Sequence, residues 1–134
     1  MAVWQFDLYL IPVNMRAPDA SKEGWGMPAL SQMQVLAVQE ALAHYFGPPW
    51  LMLEDWLVFG PENGNRVDIE FDDVAASVFV RCDVRIEAPQ FLVLVAELAR
   101  SNGCRFFSPA TTELIEPEWH QILHATARAR LSLQ

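Results

Sequence analysis

The stretch from Val58 to Ile86 alternates apolar and polar residues more strictly than any other part of the chain. Two runs, 66–71 and 77–86, carry the pattern, and a period of two predicts β-strands with one buried face and one wet face. The inward phase holds Val67, Ile69, Phe71, Val78, Val80, Cys82, Val84 and Ile86. The outward phase holds charges of both signs, namely Arg66, Asp68, Glu70, Arg81, Asp83 and Arg85. We therefore predict an open, charged sheet face opposite the core, where Arg81 and Arg85 pair with Asp68 or Glu70.

Three further strands follow from turns and alternation. Turn residues at 60–65, with Asn63-Gly64 the strongest signal, predict a hairpin that joins a strand at 57–59 to the run at 66–71. Alternation over 3–13 predicts a first strand, and 104–107 predicts a short last one. The apolar segment 50–56 lacks a clean period, and we interpret it as a connection packed on the core.

Apolar residues three and four positions apart predict three helices. The first starts at Pro28 or Ser31, where Ser31 and Gln34 have capping-box spacing, and the others start near Pro89 and Pro117. The order is then strand, helix, three strands, helix, strand, helix. We predict one two-layer α+β domain over 1–134, with a mostly antiparallel sheet of about five strands and the helices on one face.

Charge restricts the partners of this domain. The chain has 17 acidic and 9 basic residues among 134, a net charge of −8. Nucleic acids and anionic membranes are bound through clusters of Lys and Arg, so we expect neither as a partner. The acid is concentrated between Glu54 and Glu87, which favours either a solvated acidic surface or a docking surface for a basic protein.

The compartment is expected to be the cytoplasm of a bacterium. Asp7 interrupts the apolar run at the N-terminus, no apolar run has the length of a membrane span, and arginine outnumbers lysine eight to one. Cys82 and Cys104 have neither metal-site nor redox-motif spacing.

No motif predicts catalysis, a metal or a cofactor. Glu116, His120 and His124 share one helix face, but that face points to solvent, and His44 also lies on a helix surface. Nucleophile motifs and glycine-rich phosphate loops are absent from the sequence. Arginines between the carboxylates of the sheet face should keep those carboxylates ionised.

The remaining candidate protein-binding residues lie in or beside predicted loops. Residues 14–28 have loop composition, and Trp25 within them and Trp56 further on are candidate aromatic anchors, although both could simply cover the edge of the core. The predicted protein-binding residues are Asp68, Glu70, Asp72, Asp73, Arg81, Asp83, Arg85, Trp25 and Trp56.

Together these features favour a small acidic domain that binds a basic protein. Two forms of that function are a bacterial immunity protein that neutralises a toxin and a secretion chaperone, which is more often a dimer. The alternative is a small enzyme that uses the open sheet face or a cleft by the 14–28 loop.

Overall fold

A seven-stranded antiparallel sheet forms the centre of the computed structural model, which describes residues 3–18, 20–21, 24–72 and 75–132. The elements in chain order are β1 Gln5–Pro12, β2 Ala20–Ser21, β3 Gly24–Trp25, α1 Gln32–Phe46, β4 Trp50–Leu53, β5 Trp56–Phe59, β6 Arg66–Phe71, β7 Ala76–Asp83, α2 Pro89–Ser101, β8 Cys104–Ser108, β9 Glu113–Ile115 and α3 Trp119–Leu131. The predicted α+β fold class is confirmed, although the sheet has more strands than expected.

The strand order is β4-β5-β6-β7-β1-β8-β9, so the first strand inserts between the meander and the last two strands. β1 pairs with β7 through Leu8 opposite Val80, and with β8 through Leu10 opposite Phe106. Each pair is antiparallel, and each aligns apolar residues on the same face. The predicted strands at 57–59, 66–71 and 104–107 are confirmed with small changes at their ends.

Four strands of the structure were not predicted from the sequence. β4 was predicted to be a connection, but it pairs with β5 at the edge of the sheet, with a register shift between Leu51 and Leu53. An unbroken apolar run with no alternation gives no period-two signal. β9 has only three residues, and β2 and β3 pair with each other inside the predicted 14–28 loop. The prediction of a structureless loop was therefore wrong for 20–21 and 24–25.

The core lies between the sheet and the three helices, as predicted. The fully or nearly fully buried residues at its centre include Leu8, Leu10, Val38, Leu42, Ile69, Val78, Val80, Val95, Phe106 and Ile122. Two residues of the predicted apolar faces are exposed: Ile86 of the inward strand phase, and Tyr45, which continues the helical spacing of Val38 and Leu42. Ile86 lies beyond β7, because the strand ends at Asp83 and the alternation no longer fixes its side.

Helix α1 begins as its sequence predicts. Ser31 Oγ accepts a hydrogen bond from Gln34 N at 3.1 Å, and Gln34 Oε1 accepts one from Ser31 N at 2.9 Å. The Gln34 side chain also donates to Asn102 O at 2.7 Å, so the same residue ties α1 to the end of α2. No helix in the described part of the chain is long and apolar enough to cross a membrane.

We expect Ser31→Ala to lower the free energy of unfolding by about 1 kcal/mol, because it leaves the first amides of α1 without their side-chain acceptor. Ser31→Asp is the matched control and should be close to wild type, since its carboxylate both accepts from Gln34 N and favours the positive end of the helix. Urea unfolding of the three proteins measures the difference. Equal stability of the alanine and aspartate variants would contradict the capping role.

Candidate functional site

The outward sheet face carries a connected set of charged and aromatic side chains. Cross-strand register places Asp7 of β1 opposite Arg81 of β7, and Arg81 opposite Arg66 of β6. Two residues before Arg81 on β7, Phe79 lies between two cross-strand partners. These partners are Asp68 of β6 on one side and Tyr9 of β1 on the other. We call Asp7, Arg66, Asp68 and Arg81, with the rings of Tyr9, Trp56 and Phe79, the outer-face network.

Asp68 is the centre of this network, and its predicted exposure was wrong, since 0% of its surface reaches solvent. Arg66 Nε donates to Oδ1 at 3.0 Å and Nη2 donates to Oδ2 at 3.2 Å. Trp56 Nε1 donates to Oδ2 at 2.8 Å from the neighbouring strand. Both oxygens therefore have partners within the fold, and this carboxylate has no free side to offer a partner.

Arg66 is buried as deeply as the carboxylate it binds. It is 2% exposed, its Nη1 donates to Glu62 O at 2.7 Å, and its guanidinium lies 5.8 Å from the centre of the Trp50 ring. A buried ion pair is tolerated only where hydrogen bonds satisfy the remaining groups, and the carbonyl of Glu62 does so here. This residue was assigned to the wet face, so that prediction was also wrong.

Aromatic rings explain why the outer face is dry. The Phe79 ring lies 5.1 Å from Tyr9 and 6.0 Å from Trp56, centre to centre, the second in an edge-to-face arrangement. Trp56 therefore has a structural role, with its indole nitrogen bound to Asp68. At the β8 side, Arg105 Nη2 donates to Met15 O at 2.7 Å, which holds the segment after β1 over the same face.

The pair of Asp7 and Arg81 is less complete. Arg81 Nε lies 3.3 Å from Asp7 Oδ1 as an ion pair, yet these two buried atoms have no hydrogen-bond partner among the described residues. Burial raises the pKa of Asp7 above its usual range, opposed by the charge of Arg81. Burial also raises the pKa of Asp68, opposed by the hydrogen bond from Trp56 and the charge of Arg66. Loss of solvent therefore opposes the effect of the arginines on Asp7 and Asp68, which the prediction from sequence did not take into account.

The predicted partners of the arginines change accordingly. Arg81 pairs with Asp7, and Arg85 pairs with Asp83 at 2.9 Å, so neither pairs with Asp68 or Glu70. The hydrogen bond from Arg85 lowers the pKa of Asp83. The Arg85 guanidinium also lies 4.1 Å from the centre of the Trp4 ring. Asp83 is buried rather than outward and wet, because it faces Gln5 across the sheet and its amide donates to Asn65.

Exposed acid collects at one end of the sheet instead. Phe71 N donates to Asp55 O at 2.8 Å, which brings the β4–β5 turn beside the end of β6. Glu54 and Asp55 of that turn, and Glu70 and Asp72 of the β6 end, are all exposed. We call these four residues the acidic end. Asp72 also accepts a hydrogen bond from Ala75 N at 2.7 Å, so its carboxylate shapes the turn. Asp73 and the side chain of Trp25 lie outside the described residues.

Alternation assigned Arg66 to the outward face, but sequence reasoning missed its buried pairing with Asp68 and the pairing of Asp7 with Arg81. It also missed Glu54 and Asp55 as neighbours of Glu70. The position of Glu54 and Asp55 beside Glu70 could be predicted only if β4 were known to be a strand.

The three histidines lie on helix surfaces, and none of them lines the four open grooves of about 280 to 380 Å³ found between described residues. His44, His120 and His124 are exposed, and no cluster of three potential metal ligands occurs in the described part of the chain. A crevice beside Asp83, lined also by Asn65, Cys82 and Arg130, has a volume of about 10 Å³. That volume holds about one water molecule, which is too small for a substrate.

No family model matches this chain. Comparison with curated proteins and with solved structures also finds no significant match.

Replacing Asp68 tests whether the outer-face network is structural. We expect Asp68→Asn to lower the free energy of unfolding by about 3 kcal/mol, because it leaves Arg66 buried without a counter-charge. Glu70→Gln, on the same strand and exposed, is the matched control and should change stability by no more than about 0.5 kcal/mol. Chemical denaturation measures both. Equal losses in the two variants would mean that the ion pair contributes nothing.

The raised pKa of Asp7 predicts how the stability of the protein depends on pH. A carboxyl whose pKa is raised by folding holds more protons in the folded state, so its contribution to stability falls as pH rises through the window above its usual value. We therefore expect the stability of Asp7→Asn relative to wild type to improve from about pH 4 to about pH 7. Urea unfolding across that range measures it. A relative stability that is constant or declines with pH would contradict the raised pKa.

Proposed function

We propose that this protein is a small acidic protein-binding domain whose acidic end docks on a basic protein. The observation that supports the proposal is a separation of charges: the carboxylates of the outer face are paired inside the fold, whereas those of the acidic end are exposed. From Glu54 to Asp72 the chain has six carboxylates and one basic residue, Arg66, which is buried and bound to Asp68.

Such a surface accelerates association with a cationic partner and selects against acidic ones. A bacterial immunity protein that blocks a basic toxin domain is the form that fits best, because occlusion of a cationic surface requires no chemistry from the domain. A secretion chaperone is the second form. The cytoplasm is the proposed compartment, supported by two free buried thiols, Cys82 and Cys104, which suit a reducing environment.

The raised pKa of Asp7 and of Asp68 is the feature that an enzyme would share. Asp68 is fully buried with both oxygens hydrogen-bonded inside the fold, and Asp7 is paired with Arg81, so these carboxyls support a structural role.

The test is affinity capture from cells that make the protein, with elution by salt. We expect wild type to retain a basic protein and the triple variant Glu54→Gln/Asp55→Asn/Glu70→Gln to lose at least tenfold in affinity, from three exposed ion pairs of up to about 1 kcal/mol each. Asp72 stays unchanged because its carboxylate holds a turn.

The matched control is Glu40→Gln/Glu118→Gln, which neutralises exposed acids on the helix side of the molecule. It should bind like wild type. If both sets of substitutions weaken binding equally, net charge rather than the acidic end is responsible. A partner with an acidic isoelectric point would overturn the proposal.

A further inference from the structure

The edge strand β4 offers an apolar surface next to the acidic end. It pairs with β5 on one side, and on the other side it has no strand partner among the described residues. Leu51 is 61% exposed and Leu53 is 65% exposed, and Trp50 is also exposed. A strand of this kind presents free backbone donors and acceptors with apolar side chains beside them.

The opposite edge of the sheet is protected in a way that β4 is not. β9 has three residues, and its Glu113 forms an ion pair with Arg128 of α3 at 3.1 Å. Glu116, directly after it, pairs with Arg105 at 3.7 Å. Charged residues and short length are the usual protections of an edge strand. All four residues of β4 are apolar, so its sequence supplies no charge within the strand.

Features around β4 restrict what can pair with it. Pro48-Pro49 precede the strand, and the register shift between Leu51 and Leu53 distorts its centre. Proline and irregular register limit the length of an added strand and disfavour open-ended stacking of copies. β4 therefore suits one short extended segment.

Charge decides which segment fits. Glu54 and Asp55 follow β4 directly, and the register of Trp56 with Glu70 brings a third carboxylate to the same end. In an antiparallel addition, the N-terminal flank of the incoming strand lies at the C-terminal end of β4. Basic residues that precede the incoming strand would thus meet the acidic end.

We propose that β4 binds an extended apolar segment of the basic partner as an additional antiparallel strand, with Lys or Arg residues immediately before that segment. The proposal rests on the proposed function, and it adds the mode of binding and the sequence character of the partner. Main-chain hydrogen bonds supply affinity in this mode, and flanking side chains supply specificity.

A second copy of this chain is the competing occupant. Twofold antiparallel pairing would place Leu51 or Met52 opposite its own copy and would keep Glu54 of one copy away from Glu54 of the other. Each copy carries a net charge of −8, however, and both acidic ends would lie close to the shared edge. That repulsion favours a basic segment.

The test uses synthetic peptides of about eight residues in which valine and threonine alternate, since that pattern favours strands. One peptide carries two arginines at its N-terminal end, a second carries them at its C-terminal end, and a third has glutamines in their place. We expect the first to bind about fivefold tighter than the other two at low salt, from two exposed ion pairs. Backbone amide signals of Trp50–Leu53 should shift and gain protection from hydrogen exchange.

Variants assign the site. Leu51→Lys and Leu53→Lys should abolish peptide binding, because a cation there repels the arginines and loses apolar contact. Leu114→Lys, at the exposed residue of the opposite edge strand, is the matched control and should bind like wild type. Thermal unfolding checks that each variant is folded. N-methylation of alternate peptide amides should also remove binding, since it deletes the main-chain donors.

Four outcomes of the measurements on the peptides and on the free protein would overturn this inference. They are absence of peptide binding, equal affinity for the two arginine placements, protection of β9 instead of β4, and a wild-type dimer in sedimentation that Leu51→Lys converts to monomer. If the captured basic partner still binds Leu51→Lys but not the triple variant of the acidic end, strand addition is wrong and the proposed function stands. If it binds both variants like wild type, the docking function itself is wrong.

Discussion

The contact between Arg66 and Asp68 determines how the outer face of this sheet is organised. Two charges on one strand are removed from water, which is unfavourable unless every polar atom finds a partner. The partners come from three places: Trp56 on β5, the Glu62 carbonyl in the preceding turn, and the paired guanidinium itself. A slip of one residue in the β5–β6 register would send Trp56 to the other face and leave the carboxylate short of a donor. The ion pair therefore specifies register, even if its net contribution to stability is small.

A sheet with a dry second face is a consequence of that pair. Once Asp68 and Arg66 neutralise each other within the fold, the rings of Tyr9, Trp56 and Phe79 can pack together on the same face beside Asp68 without burying an unsatisfied charge. The same shielding accounts for the raised pKa of Asp68. The outer face is thereby a second, mixed core, and the exposed charges of the sheet residues that the structure describes lie at its borders, of which the acidic end is one.

The sequence predicted the fold well and the site poorly, for separate physical reasons. Alternation with a period of two, and helical stripes with proline and glycine boundaries, depend on local backbone geometry, so β6, β7 and all three helices could be found from the chain alone. Exposure of the outward phase depends on what lies above it, which alternation does not reveal. Phe79 and Ile11 in the outward phase were signals that this face was covered, because apolar residues on a wet face are exceptions to the pattern. The pairing of Asp7 with Arg81 requires β1 to lie beside β7. That position is set by the order of strands in the sheet, which the sequence period does not reveal.

The absence of charged residues within β4 can be explained from the surrounding sheet. Protection of an edge strand by charge would place a cation or carboxylate within β4, and either would change its complementarity to an extended apolar segment. Two prolines, a register shift and the acids of the β4–β5 turn instead lie around the strand, where they limit growth without altering its contact surface. Repulsion between like-charged copies adds selectivity that the strand itself lacks, because it disfavours self-pairing and leaves a cationic segment unopposed. Apolar exposure and net negative charge are therefore complementary here: the first provides affinity for an extended chain, and the second restricts which chain can approach.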